Sequence, residues 1–514
     1  MTGPVSATTL LLVVVGYFAL LIAVSAFTSG RGDGDAFFRG ERRSPWYLVA
    51  WGMIGASLSG VTFVSIPGVV GAGGLNQQLS YLQVVLGYLL GYAAIALVLL
   101  PLYYRLGLTS IYAYLEGRFG PASYRTGAGF FLLSRVIGAS FRLYLVAIVL
   151  DAFVLGPLGV PFWATVAATL ALIYAYTFRG GIRTVVYTDT LQTAAMLAAV
   201  AIALVVIARD LGTGIAGLPG LVADSGLDRT FFFGGGWSDP NNFWKQFLSG
   251  ALITVVMTGL DQDMMQKNLT CRSLGDAQKN MASLAVLLVP INLLFLALGV
   301  ALYVYLDAQG IPVPERADQV FPTVALQHLP AAAGLAFVVG LIAAAYSSAD
   351  SALTSLTTSF CVDFLGFERE ARATDSAEAS AKTPPDALVA QQRRTRSLVH
   401  VGFAVVLFVV ILAFYALNDD SVINSLFRVA GLTYGPLLGL FAFGLGTRYG
   451  VRDRWVPALC VLAPLLTWLI DRNSAAWLGG FQFGFLLLAL NGLLTFLGLW
   501  LLRTRRAVTA DAEG

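Results

Sequence analysis

Runs of roughly 18 to 25 apolar residues separated by short charged segments recur along the whole chain, and that is the length a helix needs to cross the hydrocarbon core of a bilayer. A mean hydropathy of +0.75 over 514 residues, with 57% hydrophobic and only 12% charged side chains, rules out a water-soluble domain of this size. In lipid every backbone polar group must be satisfied within the protein, which leaves helices or closed barrels. The alternating pattern of barrel strands is missing, so the expectation is an all-α polytopic membrane protein. Thirteen candidate spans centre near Val15, Ala56, Leu90, Leu143, Leu170, Ala199, Val255, Leu294, Ala344, Leu407, Leu437, Leu462 and Leu488.

An odd number of spans puts the termini on opposite sides. The first run has no Lys or Arg before it but Arg31, Arg39, Arg42 and Arg43 after it, the flank order of an anchor with its N-terminus outside rather than of a cleaved signal. That orientation places 24 Lys and Arg in inner segments and five (Arg209, Arg229, Lys245, Arg316 and Arg472) in outer ones. The asymmetry predicts a cell-membrane protein with a cytoplasmic C-terminus. The segment 368–396, rich in charge, Ala, Ser and Pro, reads as a cytoplasmic linker, partly helical at most. An outer segment at 210–242 carries the aromatic and Gly-rich patch FFFGGGW. A net charge of +3 gives no basis for a nucleic-acid partner. Cys271, Cys361 and Cys460 lack the spacing of a metal or redox site, and His328 and His400 stand alone.

Charged and clustered polar residues at membrane depth are costly and usually face a pathway, a partner or an ion. The second span, W51GMIGASLSGVTFVSIPGVVG, sets Ser57, Ser59, Thr62 and Ser65 among glycines and Pro67. This composition suits either a helix that unwinds at mid-membrane or tight packing through small residues. In the ninth span Ala344, Ser347, Ser348 and Ser351 share a stripe that Thr354, Ser355 and Thr358 extend, with Asp350 beside it. Single hydroxyls in membrane helices commonly bond back to their own backbone, but six on one stripe can ligate a monovalent cation. In the sixth span Asp189 and Gln192 lie a turn apart; the carboxylate needs a cation or an arginine such as Arg183. Arg135 is placed to snorkel. Arg142 and Arg428 read as deeper, paired with a carboxylate such as Asp151, Asp261 or Asp263, or facing an anionic solute.

At these residues the chain resembles the sodium:solute symporter family. The pieces that carry the likeness are RGGIRTVVYTDTLQ, AAAYSSADSALTSLTTSFCVDF, GLTYGPLLGLFAFG and NLTCRSLGDAQKN. The resemblance implies a leucine-transporter-type core of two inverted five-helix repeats, 46–209 and 243–447, after an N-terminal helix within 1–45 and before two C-terminal helices within 448–514. It implies a primary sodium site made by backbone carbonyls of Gly55, Leu58 and Ala344 and hydroxyls of Ser347 and Ser348. A second sodium would use Asp189, Ser347, Asp350 and Ser351. The solute would bind beside the broken helix, and Ser57, Ser59, Thr62, Gln83, Arg142, Asp261 and Arg428 are candidates by position.

The expected activity is therefore sodium-coupled import of a small polar organic solute by alternating access, with no catalytic residue and no organic cofactor. The two arginines favour an anionic solute, with sugars and amino acids also admitted. A monomer in the lipid bilayer suffices for transport. A proton-coupled carrier using Asp189 is the nearest rival. A sensor or membrane enzyme is disfavoured, because no Ser/His/Asp, di-His or HExxH arrangement sits at membrane depth.

Overall fold

The computed structural model describes residues 6–28, 44–108, 110–177, 181–367, 385–417 and 422–505. The cationic segment Arg31 to Arg43, Arg179, the side chain of Arg183, Arg506 and the first part of the 368–396 linker fall outside those residues.

Helices follow the apolar runs: α1 is Ala7–Thr28, α2 Trp46–Ser57, α3 Gly60–Val69, α4 Tyr81–Leu106, α5 Ala113–Arg118, α6 Pro121–Leu150, α7 Phe162–Thr177 and α8 Gly181–Asp210. There follow α9 Leu218–Asp224, α10 Phe243–Thr254, α11 Gln262–Asn268, α12 Leu274–Ala308, α13 Ala317–Thr323, α14 Ala331–Ser359, α15 Pro385–Leu417, α16 Val422–Gly446, α17 Val456–Trp477 and α18 Leu487–Leu501. Each of the thirteen centres read from the sequence falls in a helical segment. Nine helices among the described residues are long and apolar enough to cross a bilayer, or up to eleven if each of two bent pairs is one span. By the same measure the regions of α1 and α7 are shorter apolar helices. From Pro385 the linker is already helical and continuous with α15.

The two bent pairs organise the interior. α2 and α3 meet at 54°, because Leu58 (φ −89°, ψ 94°) and Ser59 (φ −90°, ψ 178°) leave the helix for extended backbone. Glycines and serines in this stretch hold the helix weakly. Gly55 also lets α2 press on α8, since a Cβ there would sit 2.2 Å from the Thr193 hydroxyl oxygen. The second pair bends by 70°. A five-residue π turn, Val255–Gly259, extends α10; Leu260 and Asp261 are then extended or irregular before α11 begins. α14 lies at the centre of the bundle: every residue from Gly340 to Ser359 is buried. It packs on α8, α6, α3 and α15, so its hydroxyl stripe meets other helices rather than lipid. Phe63 on α3 stacks among Phe295, Phe321 and Phe337, an aromatic plug that fixes the far half of the broken helix.

Candidate functional site

The break after α2 faces the serine-rich helix. With Leu58 and Ser59 extended, the last carbonyls of α2 lose their partners one turn on, the usual fate of helix termini. The Gly55 carbonyl accepts instead from the Ser347 hydroxyl at 3.1 Å, and the same hydroxyl oxygen lies 3.4 Å from the Ala344 carbonyl. One O–H can satisfy only one of them at a time. The neighbouring Ser348 hydroxyl is fully buried and has no hydrogen-bond partner. Two carbonyls share one donor here, beside an orphaned hydroxyl. Such an oxygen-rich cluster suits a hard monovalent cation, since buried oxygens need a partner and a cation can take the two carbonyls and both serine oxygens at once. The residues fit the sodium ion that the sequence resemblance implies.

A second set of polar side chains lies further along α14, and it is internally paired. Asp189 on α8 is fully buried and its Oδ2 is 2.7 Å from the Nζ of Lys267, itself 1% exposed on α11. The Asp189 Oδ1 atom has no partner. The Ser351 hydroxyl donates to Asp263, and Arg135 donates to the same carboxylate. Asp261 caps α11 through the Asp263 and Met264 amides and accepts from the Tyr434 hydroxyl at 2.6 Å. Each of the four residues that the resemblance implies for a second sodium has a partner within the protein. Ser347 serves the first cluster, Asp189 is held by Lys267, Ser351 by Asp263, and Asp350 accepts the Ser351 amide. Two charges also differ from their sequence reading. Lys267 reads as an inner-loop charge but is buried at the heart of the bundle, and Arg135 is buried and ion-paired rather than snorkelling.

Beside the first break opens a cavity. Ser57, Ser59 and Thr62 line it from the broken helix and Arg142 from α6. Arg142 is 7% exposed, and neither its Nε nor its Nη1 finds a partner. Among the described residues it forms no ion pair with Asp151, Asp261 or Asp263, the last being paired with Arg135. The other solute candidates are not in this lining. Gln83 donates to the Asn241 carbonyl and the Gln246 side chain and accepts from the Phe232 amide, which ties the 210–242 segment to α4 and α10. The Asp261 carboxylate is spent on Tyr434 and the α11 cap. Arg428 turns outward, its side chain 60% exposed and bonded to Asp471 at 3.0 Å.

Sequence reading missed Tyr81, Tyr88 and Tyr92, which line the cavity from α4, and Thr254, Thr258 and Asn292 opposite. The Tyr81 and Tyr88 hydroxyls bond to each other at 2.8 Å. The spacing of these tyrosines, seven and then four residues, puts them on one helix face. That signal was available, but it is shared with ordinary core packing.

The profile of the sodium:solute symporter family matches residues 37–383. Among curated proteins the chain is similar to the sodium/sialic acid symporter SiaT of Proteus mirabilis (strain HI4320), 25% identical over 451 residues and covering 84% of each chain. It is also 27% identical over 461 residues to the sodium/iodide cotransporter of Homo sapiens, covering 84% of this chain and 65% of that one. Among solved structures, a sodium-coupled sialic acid symporter in a substrate-bound outward-open state superposes with a TM-score of 0.77 at 21% identity, covering 96% and 97% of the two chains. The fold is accordingly that of the leucine-transporter type.

Proposed function

Because the chain belongs to the sodium:solute symporter family, a family of transporters and not of enzymes, we propose that it imports a small anionic organic solute with sodium by alternating access across the cell membrane. The observation that carries the reading is the oxygen cluster of Gly55, Ala344, Ser347 and Ser348 at the break of the α2–α3 span. In this reading 46–209 and 243–447 are inverted repeats. A bent helix pair at the head of each, at Trp46 and at Phe243, supports that division.

Sodium gripped by the Gly55, Leu58 and Ala344 carbonyls and the two serines ties the broken helix to α14. That tie fixes Ser57, Ser59 and Thr62 in the cavity wall. A ligand shifts a conformational equilibrium only by its difference in affinity for the two states. The sodium site supplies such a difference, because its ligands come from two helices that inward opening draws apart. The Arg142 guanidinium supports an anionic solute: a buried, unpaired cation is costly, and a carboxylate can meet it with two parallel hydrogen bonds. Sialic acid and iodide, named for two of the similar proteins, are both handled as anions, which agrees with this choice.

A thermal-shift screen of the purified protein against sugars, amino acids and organic anions, with sodium or choline, tests both halves. Organic anions should stabilise, and only with sodium. Ser348→Ala should raise the sodium needed for half-maximal stabilisation about ten- to a hundred-fold, the weight of one charge-assisted contact. An unchanged sodium dependence in this variant removes the assigned site. Uptake driven by a pH gradient without sodium points instead to proton coupling through Asp189.

A further inference from the structure

The second sodium that the sequence resemblance implies does not fit the residues present. Of its two carboxylate donors, Asp189 already holds the Lys267 ammonium at 2.7 Å, both groups being buried, and Asp350 accepts the Ser351 amide. Of its two hydroxyl ligands, Ser347 donates to the Gly55 carbonyl and Ser351 is turned to Asp263, a carboxylate also engaged by Arg135. A hydroxyl that donates to a carboxylate keeps lone pairs, but it points its proton and not its oxygen along that line. A sodium ion at Asp189 would stand close to an ammonium that has no solvent to screen it, and two unit charges of like sign at contact distance in a buried site repel strongly.

We infer that Lys267 is a covalently tethered counter-cation on Asp189, so that the carrier binds one sodium and not two. The inference rests on the sodium reading proposed above and adds the stoichiometry to it. Three features of the geometry support it. Lys267 sits on the seven-residue helix α11, which is locked in place at its start by the Asp261 cap and by Tyr434. The ammonium is therefore delivered by a fixed element and not by a mobile loop. Burial disfavours this charge, and the carboxylates of Asp189, Asp263 and Asp350 together oppose that cost. The Asp189 Oδ1 atom, orphaned and buried, leaves the carboxylate an oxygen free to accept a cation once the ammonium is removed.

The consequence is a division of labour between two cation positions. At the α2–α3 break the ligands are neutral oxygens, which a mobile ion can leave. At Asp189 the counter-ion is part of the chain and does not exchange. With a monoanionic solute, one sodium makes the transported load electrically neutral.

Equilibrium binding of ²²Na⁺ to the purified full-length protein in detergent, with choline replacing sodium in the controls, tests the stoichiometry without knowledge of the solute. The native protein should bind one ion per chain with a Hill coefficient near one. Lys267→Gln should bind two. Lys267→Gln combined with Asp189→Asn should return to one, and Lys267→Arg should stay at one. Two ions on the native protein overturn the inference and leave the sodium reading standing. No ion at all overturns both. One ion on a folded Lys267→Gln variant shows that the ammonium was not what kept a second sodium out, and also overturns the inference. If Lys267→Gln fails to fold, the native count still decides.

Discussion

Two helices break among the described residues, and they satisfy the groups freed by the break in opposite ways. At the junction of α2 and α3 the facing side chains are neutral and small, a single Ser347 proton serves two carbonyls, and Ser348 is left without a partner. At the junction of α10 and α11 the same kind of interruption is filled by resident charge: Asp261 caps the new helix, Tyr434 binds Asp261, Arg135 binds Asp263, and Lys267 binds Asp189. Helix interruption alone does not make an ion site. In the proposed reading it does so where neutral oxygens are left short of partners, and the other break becomes a fixed strut because resident charges fill it.

The sharpest way to break this contrast is to remove charge from the strut. Arg135→Ala leaves Asp263 buried with only a hydroxyl donor, and losing one partner of a buried pair costs about 3 to 5 kcal/mol. The expected outcome is a large fall in the detergent melting temperature, partly recovered when Asp263→Asn is added. An unaltered melting temperature in the single variant means that this region is hydrated and exchangeable, as the first break is, and the contrast fails.

A smaller effect is expected at the first break, where geometry and not charge does the holding. A Cβ on Gly55 meets the Thr193 hydroxyl oxygen, so Gly55→Ala should push α2 off α8 at a cost of about 1 to 3 kcal/mol and weaken sodium binding with it. Thr193→Ala in the same protein should restore much of both. Sodium affinity that survives Gly55→Ala alone separates the Gly55 carbonyl from the ion site.

These regions were unequally legible in the sequence. The serine stripe of α14 and the Gly/Ser/Pro content of the second span signal themselves by local composition and helical period, while the pairing of Gly55 with Ser347 comes from the family resemblance. The strut was not, because its members are single charges far apart in the chain. Asp189 and Lys267 are 78 residues apart, and Arg135 and Asp263 are 128. Counting cations by loop assigns Lys267 to the loop it precedes, and no periodicity reveals that a bend turns it inward. Asp261 and Asp263 were named as arginine partners, but the sequence could not say for which arginine. Nor could it tell the three cavity tyrosines from a packing face, since both look alike along one helix.

The smallest effect separates two arginines that the sequence treated as equals. Arg142 lines the cavity with unpartnered nitrogens, while Arg428 lies on the outside of α16 against Asp471, largely in contact with the surroundings of the bundle. An exposed ion pair is worth under about 1 kcal/mol, so Arg428→Ala should shift the melting temperature by a degree or two at most and leave sodium-dependent stabilisation by organic anions unchanged. Arg142→Ala should abolish that stabilisation. Equal loss in both variants would put Arg428 back beside the solute, which requires a rotation of α16 that brings its outward face to the cavity now bordered by Leu426 and Phe427.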